Sequence, residues 1–326
     1  MKKLSIIAII LSLTTLSLQV FIFATSANKE SAPVKEKSHS SVPTYYAPEI
    51  PDSLNFAGEK VPLDDLLVRE AIDREMVSIA YRHSATILTM KRAYRYFPVI
   101  EPILKKNGVP LDFKYLCVIE SELTNATSPA KAQGFWQFMK ATGTSYGLEV
   151  NDEIDMRNNV EAATEAACKY LKDLKRGLGS WTSAASAYNC GEGGLRKRLN
   201  EQGVKSYYDT YIFTETTRYV PRILAMKTIM GNLQKYGFML RHCDMYPQLT
   251  YKTVELKGQK VDLAAFAKQN NTNLKVLRNL NPWITTNTLT NKANKTYTVK
   301  IPDSNGMSFR KMQKSEDKKT DLITRL

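Results

Sequence analysis

Residues 111–121 read LDFKYLCVIES, and their pattern decides the fold class of the region around them. Phe113, Leu116, Cys117 and Glu120 stand at i, i+3, i+4 and i+7, so a helix over this stretch carries all four on one face. Glu120 then lies on an apolar stripe, in the last turn of the helix. Loss of solvation there disfavours the charged carboxylate and raises its pKa, which suits a general acid. The alternative reading of this pattern is a structural glutamate, bonded to a backbone amide or paired with a lysine.

The flanking sequence extends the helical pattern in both directions. Apolar residues recur at three- and four-residue steps between residues 61 and 106, and residues 111–232 read as short helices separated by Gly, Asn and Ser turns. Beyond Gly237, alternating stretches around Val254 and Val299 predict two strands with two helices between them. We therefore predict a mostly α protein, with a helical domain over residues 54–236 and a small β-α-α-β module over residues 250–303.

The two ends of the chain have a different composition. Residues 1–27 combine a basic start, an apolar run and a small-residue site, which predicts a signal peptide. The apolar run is about 20 residues long and is sufficient to span a bilayer, so an uncleaved N-terminal anchor, and membrane association through it, is the alternative. Either reading predicts export to the bacterial cell envelope, with the periplasm as the expected compartment. Residues 28–53 are rich in Lys, Ser and Pro and read as a flexible linker, and residues 304–326 read as a disordered tail.

Charge and composition narrow the class of partner. The 326 residues include 46 Lys and Arg against 32 Asp and Glu, a net charge of +14, which favours an anionic partner. Export argues against nucleic acid and in favour of an envelope polymer. The three histidines are scattered along the chain, which argues against a His-rich metal site. We expect no metal.

The four cysteines are Cys117, Cys168, Cys190 and Cys243, and they include no C-x-x-C pair and no zinc-ligand spacing. Cys117 and Cys168 sit in helical apolar patterns, so we predict that both are small core residues. Their disulfide pairing is left open by the sequence.

A series of short motifs follows the Glu120 helix. They are ES at 120–121, ATS at 126–128, GFWQFM at 134–139, AYNCGEG at 187–193 and ETTRYVP at 215–221. Together they resemble the goose-lysozyme-like catalytic domain of lytic transglycosylases, with spacing similar to the membrane-bound lytic murein transglycosylase D type. The resemblance runs from about Phe56 to Gly231 and implies a lysozyme-like helical fold. Lys140 and Cys190 depart from the family pattern, which usually has Pro and a small residue there.

The resemblance also implies roles for individual residues. Glu120 matches the family's sole catalytic acid/base. Positions that line the glycan groove or hold the sugar match Ser128, Gln137, Tyr188 and Asn189, while Glu215 and Tyr219 match the segment that closes the site. The family needs no cofactor, so none is expected.

The C-terminal module resembles a LysM cell-wall-binding domain. Residues 251–254 (YKTV) open it, residues 277–282 (LRNLNP) hold the L-x-x-L-N core, and residues 297–302 (YTVKIP) close it. The usual G-D-T-L turn is replaced by GQKVDL at 258–263, so the alternative is a unit that only packs on the catalytic domain.

These resemblances imply an enzyme that cleaves the β-1,4 bond between N-acetylmuramic acid and N-acetylglucosamine in peptidoglycan glycan strands, leaving 1,6-anhydro ends. Two alternatives stay open. A hydrolytic muramidase of the inverting type needs a second carboxylate about 6.5–9.5 Å from the acid, for which Asp152, Glu153 and Asp155 are candidates. A non-catalytic scaffold would hold the glycan without cutting it.

Overall fold

The computed structural model describes residues 46–304, 307–313 and 321–326. The chain divides into two units, residues 1–47 and Pro48–Leu326, and the helices and strands of the described residues lie in the second unit. The signal peptide or anchor predicted for residues 1–27 lies outside the described residues. Within the described ranges, none of the helices is long and apolar enough to cross a membrane.

The first domain of this unit is helical. A short hairpin of β1 (Asn55–Phe56) and β2 (Glu59–Lys60) precedes it. Its helices, in chain order, are α1 (Leu66–Tyr81), α2 (His83–Lys106), α3 (Phe113–Ser121), α4 (Lys140–Ser145), α5 (Val160–Leu178), α6 (Trp181–Cys190), α7 (Glu192–Gln202) and α8 (Thr214–Gly231). The helix predicted around residues 111–121 is therefore confirmed.

Polar side chains mark where several of these helices begin. Asp65, Asn159 and Ser180 precede α1, α5 and α6, and each accepts a bond from a backbone N–H of the first turn. Such caps satisfy donors that have no partner inside the helix. These caps therefore define the residues at which α1, α5 and α6 begin.

The core of the domain lies where α1 runs along α8 and where α5 packs between α2 and α6. Trp136 and Phe138 are buried in it, and the Trp136 Nε1–H donates to Thr164 Oγ1 at 2.9 Å. Cys117 and Cys168 are also buried as thiols, as the apolar pattern predicts. Both aromatic rings therefore anchor the loop that contains them in the core of the domain.

The C-terminal module has the predicted strand-helix-helix-strand order. Its long strands β3 (Tyr251–Leu256) and β6 (Tyr297–Pro302) pair antiparallel, with Tyr251 opposite Pro302 and Leu256 opposite Tyr297. The other elements are β4 (Val261–Asp262), α9 (Leu263–Gln269), α10 (Leu274–Leu280) and β5 (Thr288–Leu289), and β4 pairs with β5. The predicted fold class, a mostly α protein ending in a small β-α-α-β module, is confirmed.

One loop of the helical domain enters the module. Ile154 is 1% exposed and lies in the module's own apolar core, where it forms a β-bridge with Ile284. Beside it, Glu153 accepts bonds from the Thr290 N–H at 2.9 Å and from the Thr290 hydroxyl at 2.6 Å. The module is therefore docked on the helical domain through the loop that contains Ile154.

The structure corrects both predicted flexible ends where it describes them. The linker predicted over residues 28–53 is wrong at its end, because Ile50 joins the main core and the Glu49 carbonyl accepts a bond from Tyr236 at 3.0 Å. The tail predicted over residues 304–326 is wrong at residues 321–326. There Ile323 is 4% exposed and the Leu326 N–H donates to the Met230 carbonyl at 2.8 Å. In both places an apolar side chain among polar neighbours finds space in the core.

Candidate active site

Glu120 occupies the predicted place, in the last turn of α3 behind a buried stripe. Phe113, Leu116 and Cys117 are fully buried along this helix, and Glu120 is half-buried. The helix ends at Ser121, and the next residue, Glu122, has a left-handed φ of 49° that turns the chain away. The helix therefore stops one residue after Glu120.

The carboxylate of Glu120 accepts a hydrogen bond from the hydroxyl of Tyr219 in α8. Burial raises the pKa of Glu120 to about 7, against the lowering effects of the Tyr219 bond and of the Arg222 charge. The Glu215 charge raises the pKa of Glu120 further. An acid with a pKa near neutrality is present in both protonation states, so it can give up a proton and take one back.

The α8 helix carries Tyr219 next to an internal proline that the neighbouring chain accommodates. Pro221 lies inside this helix and has no N–H for the Thr217 carbonyl four residues earlier. The hydroxyl of the buried Tyr207 donates to that carbonyl at 3.0 Å, and equally to the Thr216 carbonyl. The proline of the ETTRYVP motif is thus accommodated without leaving a buried carbonyl unsatisfied.

Tyr188 closes the other side of the site from the end of α6. Its hydroxyl donates to the Trp136 carbonyl at 2.7 Å. Burial raises the pKa of Tyr188 well above its usual range, and the charge of Glu120 contributes to that rise. Tyr188 therefore stays neutral beside the acid and joins α6 to the GFWQFM segment.

Asn189 and Glu215 line the outer part of the site. Both side chains are exposed. Asn189 Oδ1 accepts a bond from the Thr216 hydroxyl at 2.9 Å, which ties α6 to the first turn of α8. Glu215 pairs with Arg222 at 3.2 Å, and it stands one turn before Tyr219 on the same helix. The AYNCGEG and ETTRYVP motifs thus meet at the outer edge of the candidate site.

Gln137 and Ser128 shape the loop that follows Glu120. Gln137 has a left-handed φ of 47°, and its amide nitrogen donates to the carbonyls of Ala126 and Gly134. Ser128 Oγ accepts a bond from the Ala132 N–H at 2.9 Å. These contacts lie within the loop itself, so the structure places both side chains as supports of the loop rather than as partners of Glu120.

Gly134 is required where this loop crosses the buried Arg157. Its φ is 80°, and a Cβ there would lie 2.0 Å from the Arg157 carbonyl oxygen. Arg157 in turn donates to the carbonyls of Lys131 and Phe138 and pairs with Asp155 at 2.7 Å. The first glycine of the GFWQFM motif is thus a packing requirement.

Two of the three carboxylates considered as water-activating bases are bound by other groups. Asp155 is buried against Arg157, and Glu153 binds Thr290 and the backbone of Asn291 in the C-terminal module. Asp152 is exposed beside it, where its carbonyl accepts a bond from Thr285. All three belong to the docking loop of the module.

Sequence reasoning missed an ionic cluster that supports α8. Glu75 in α1 is 1% exposed and binds Arg218 at 2.7 Å and Arg222 at 3.3 Å. Arg222 also reaches Glu215 and acts on the pKa of Glu120. The sequence did contain a signal for this cluster. Glu215, Arg218 and Arg222 are spaced at i, i+3 and i+7, which places them on one face of a helix.

The fold and this geometry agree with two known domain families. Residues 98–210 match the Transglycosylase SLT domain family, and residues 252–305 match the Soluble lytic transglycosylase C-terminal LysM-like domain family. The chain therefore carries an SLT-type transglycosylase domain followed by a LysM-like domain, and the resemblance drawn from the motifs is confirmed.

Similar proteins include the "Membrane-bound lytic murein transglycosylase D" of Escherichia coli (strain K12). It is 33% identical over 183 residues, which cover 54% of this chain and 40% of that protein. The protein of the same name from Escherichia coli O6:H1 gives the same values. The "Putative tributyltin chloride resistance protein" of Alteromonas sp. (strain M-1) is 27% identical over 158 residues, 48% of this chain and 75% of that protein. The match thus spans 40% of the length of the first two relatives.

Proposed function

We propose that this protein is a peptidoglycan lytic transglycosylase, a lyase that cleaves the β-1,4 bond between N-acetylmuramic acid and N-acetylglucosamine. The observation that carries the proposal is Glu120, a half-buried carboxyl bonded by Tyr219, with a pKa of about 7. The SLT domain match over residues 98–210 supports the same reaction class. The Escherichia coli relatives are named for that activity on murein.

The proposed reaction uses Glu120 twice. Its protonated carboxyl donates a proton to the bridging oxygen, the bond from that oxygen to C1 of muramic acid breaks, and the N-acetylglucosamine hydroxyl leaves. The carboxylate that remains accepts the proton of the muramic C6 hydroxyl, whose oxygen forms a bond to C1 and closes the 1,6-anhydro ring. Glu120 is thereby restored to its acid form, and the steps use protein and sugar groups only.

A single carboxyl is sufficient for this sequence because the substrate supplies its own nucleophile. A muramidase of the inverting kind needs a second carboxylate to activate water. Asp155 and Glu153, two of the candidates, are held by Arg157 and by Thr290. That arrangement favours the lytic reaction over hydrolysis.

We propose Tyr188, Asn189, Glu215 and Tyr219 as the residues around the sugar, and Gln137 and Ser128 as supports of the groove. We place the protein in the cell envelope, exported by residues 1–27 as a cleaved signal or as a retained anchor, with peptidoglycan glycan strands as its partner. The match of residues 252–305 to a LysM-like domain supports a wall-binding module.

Substitution of Glu120 by glutamine tests the function. Glu120→Gln keeps the shape of the side chain but carries no proton, so clearing of purified sacculi should fall by at least 1,000-fold, roughly the general-acid contribution or more. Glu70→Gln, an isosteric loss of an exposed carboxyl on α1, is the matched control and should clear sacculi like the wild type. Circular dichroism confirms that both variants fold. Clearing by Glu120→Gln at the rate of the control would contradict the proposal.

A further inference from the structure

A cavity of about 430 Å³ opens beside the outer edge of the candidate active site. Asn189, Glu215 and Thr216 line it on the side of the site. Lys197, Arg198 and Phe213 line it on the other side, from α7 and from the residue before α8. The cavity therefore adjoins the groove in which the sugar is proposed to lie.

The charges around this cavity leave one cation without a carboxylate. Lys197 pairs with Glu201 at 3.7 Å, and Glu215 pairs with Arg222 at 3.2 Å. Among the residues that the structure describes, no carboxylate lies within ion-pair distance of Arg198. The half-buried Arg198 thus holds the one positive charge of the cavity that is not neutralised by a neighbour in the described chain.

Arg198 is nevertheless held in place. Its guanidinium lies over the ring of Phe213, 4.1 Å from the ring centroid, and Phe213 is itself 68% exposed. Stacking on an aromatic face orients the planar guanidinium and does not use its N–H donors. An oriented guanidinium with unused donors is suited to bidentate binding of a carboxylate.

We propose that this cavity binds a carboxylate of the peptide stem that projects from the muramic residue near the scissile bond, and that Arg198 is the residue that recognises it. The inference rests on the proposed function, since the glycan in the groove brings the peptide to the cavity. Phe213 supplies the apolar wall against which the stem packs. Arg198 then determines specificity for strands that carry charged stems and takes no part in the chemistry at Glu120.

Two substrates with glycan chains of equal length separate the contribution of the stem carboxylates from that of the glycan. One is a preparation of uncrosslinked glycan strands with peptide stems, and the other is the same preparation after carbodiimide coupling with ammonia converts its carboxylates to amides. The wild type should cleave the native strands with a kcat/KM about tenfold higher, because amidation removes the charge-assisted hydrogen bonds to Arg198. The difference should lie in KM.

Arg198→Gln should cleave both substrates at the rate that the wild type shows on the amidated strands. Arg198→Lys keeps the positive charge but loses the bidentate geometry of the guanidinium, so it should recover part of the preference for native over amidated strands. Lys205→Gln removes an equal charge from an exposed position outside the cavity and should retain the full preference. Melting temperatures of the variants check that each is folded.

The inference is overturned if Arg198→Gln keeps the tenfold preference, or if it loses activity equally on both substrates. A wild type that cleaves neither preparation would instead contradict the proposed function, and the inference with it. Cleavage of both preparations by the wild type without preference would contradict the inference alone.

Discussion

Glu120 and Tyr219 form the contact on which the proposed chemistry depends. Burial stabilises the protonated form of Glu120, and the Tyr219 hydroxyl, as a donor, stabilises the charged form. The two effects oppose one another, and burial is the larger. Near neutral pH the carboxyl of Glu120 is therefore present in both its protonated and its charged form.

Removal of the Tyr219 hydroxyl should move the pH profile upward. In Tyr219→Phe the charged form of Glu120 loses its donor, so the pKa of Glu120 should rise further above 7. The alkaline limb of the kcat/KM profile for sacculi digestion, which reports the loss of the acid form, should shift to higher pH by about 1 unit, the equivalent of one such hydrogen bond. A profile with an unchanged alkaline limb would show that Tyr219 does not act on the acid.

The same burial should make the folded protein less stable at alkaline pH. The pKa of Glu120 rises on folding from 4.5 to about 7, so its contribution to stability is fully present below pH 4.5 and is lost as pH rises through 7. The loss amounts to about 3 kcal/mol above pH 8. Glu120→Gln should therefore unfold in urea with a free energy about 3 kcal/mol higher than the wild type at pH 8.5, with a much smaller difference at pH 4. An equal difference at the two pH values would contradict this linkage.

At the level of single residues, the sequence predicted the buried acid Glu120 but only part of the set of residues that contact it. The helical spacing of Phe113, Leu116, Cys117 and Glu120 follows directly from residue order, so the buried carboxyl could be foreseen. The contact with Tyr219 joins residues 99 positions apart and depends on how α8 packs, which periodicity does not specify. Gln137 and Ser128 were matched by motif, whereas their bonds within the loop emerge only from its turns.

The helix α8 is the element that assembles the site, and α1 holds it in position. Glu75 from α1 is buried between Arg218 and Arg222, and these ion pairs outweigh burial and lower its pKa. Because α1 (Leu66–Tyr81) precedes the matched SLT region at residues 98–210, this support lies outside it. The α1 helix is therefore an integral part of the folded unit that holds the candidate active site.

Neutralisation of Glu75 should destabilise the domain. Glu75→Gln leaves two arginines without their shared buried counter-charge, and we expect a loss of about 3 kcal/mol in the free energy of unfolding. Since the folded pKa of Glu75 is lowered from 4.5, the loss should be present above pH 4.5 and should disappear as pH falls through the folded value. Urea titrations at pH 7 and pH 3 measure it, with the exposed Glu70→Gln as control. A change at pH 7 within about 0.5 kcal/mol, the range of ordinary surface substitutions, would contradict the role of the cluster.

Elements with strong periodicity were predictable, and elements whose place depends on another domain were not. The strands around Val254 and Val299 alternate clearly and pair as expected. By contrast, Ile154 reads as one apolar residue among polar ones, and only the fold shows that it fills the core of the C-terminal module. Ile323 near the end of the chain is a similar case.

At the scale of the described chain, an SLT-type domain and a LysM-like domain form one docked unit. The loop with Glu153 and Ile154 contacts the module directly, and the Glu153 carboxylate takes part in the docking. The net charge of +14 suits the acidic peptides of the proposed polymer. Glu120 as the half-buried acid, with the docking-loop residues Glu153 and Asp155 bound to Thr290 and Arg157, is the arrangement expected for the proposed lytic reaction.

The mass of the products released from purified sacculi tests the central claim most directly. A 1,6-anhydro muramic end is lighter than a reducing end by one water, so mass spectrometry of the first fragments separates the two reactions. We expect anhydro ends from the earliest time point, with none from Glu120→Gln. Reducing ends from the earliest time point would contradict it and would identify a hydrolase.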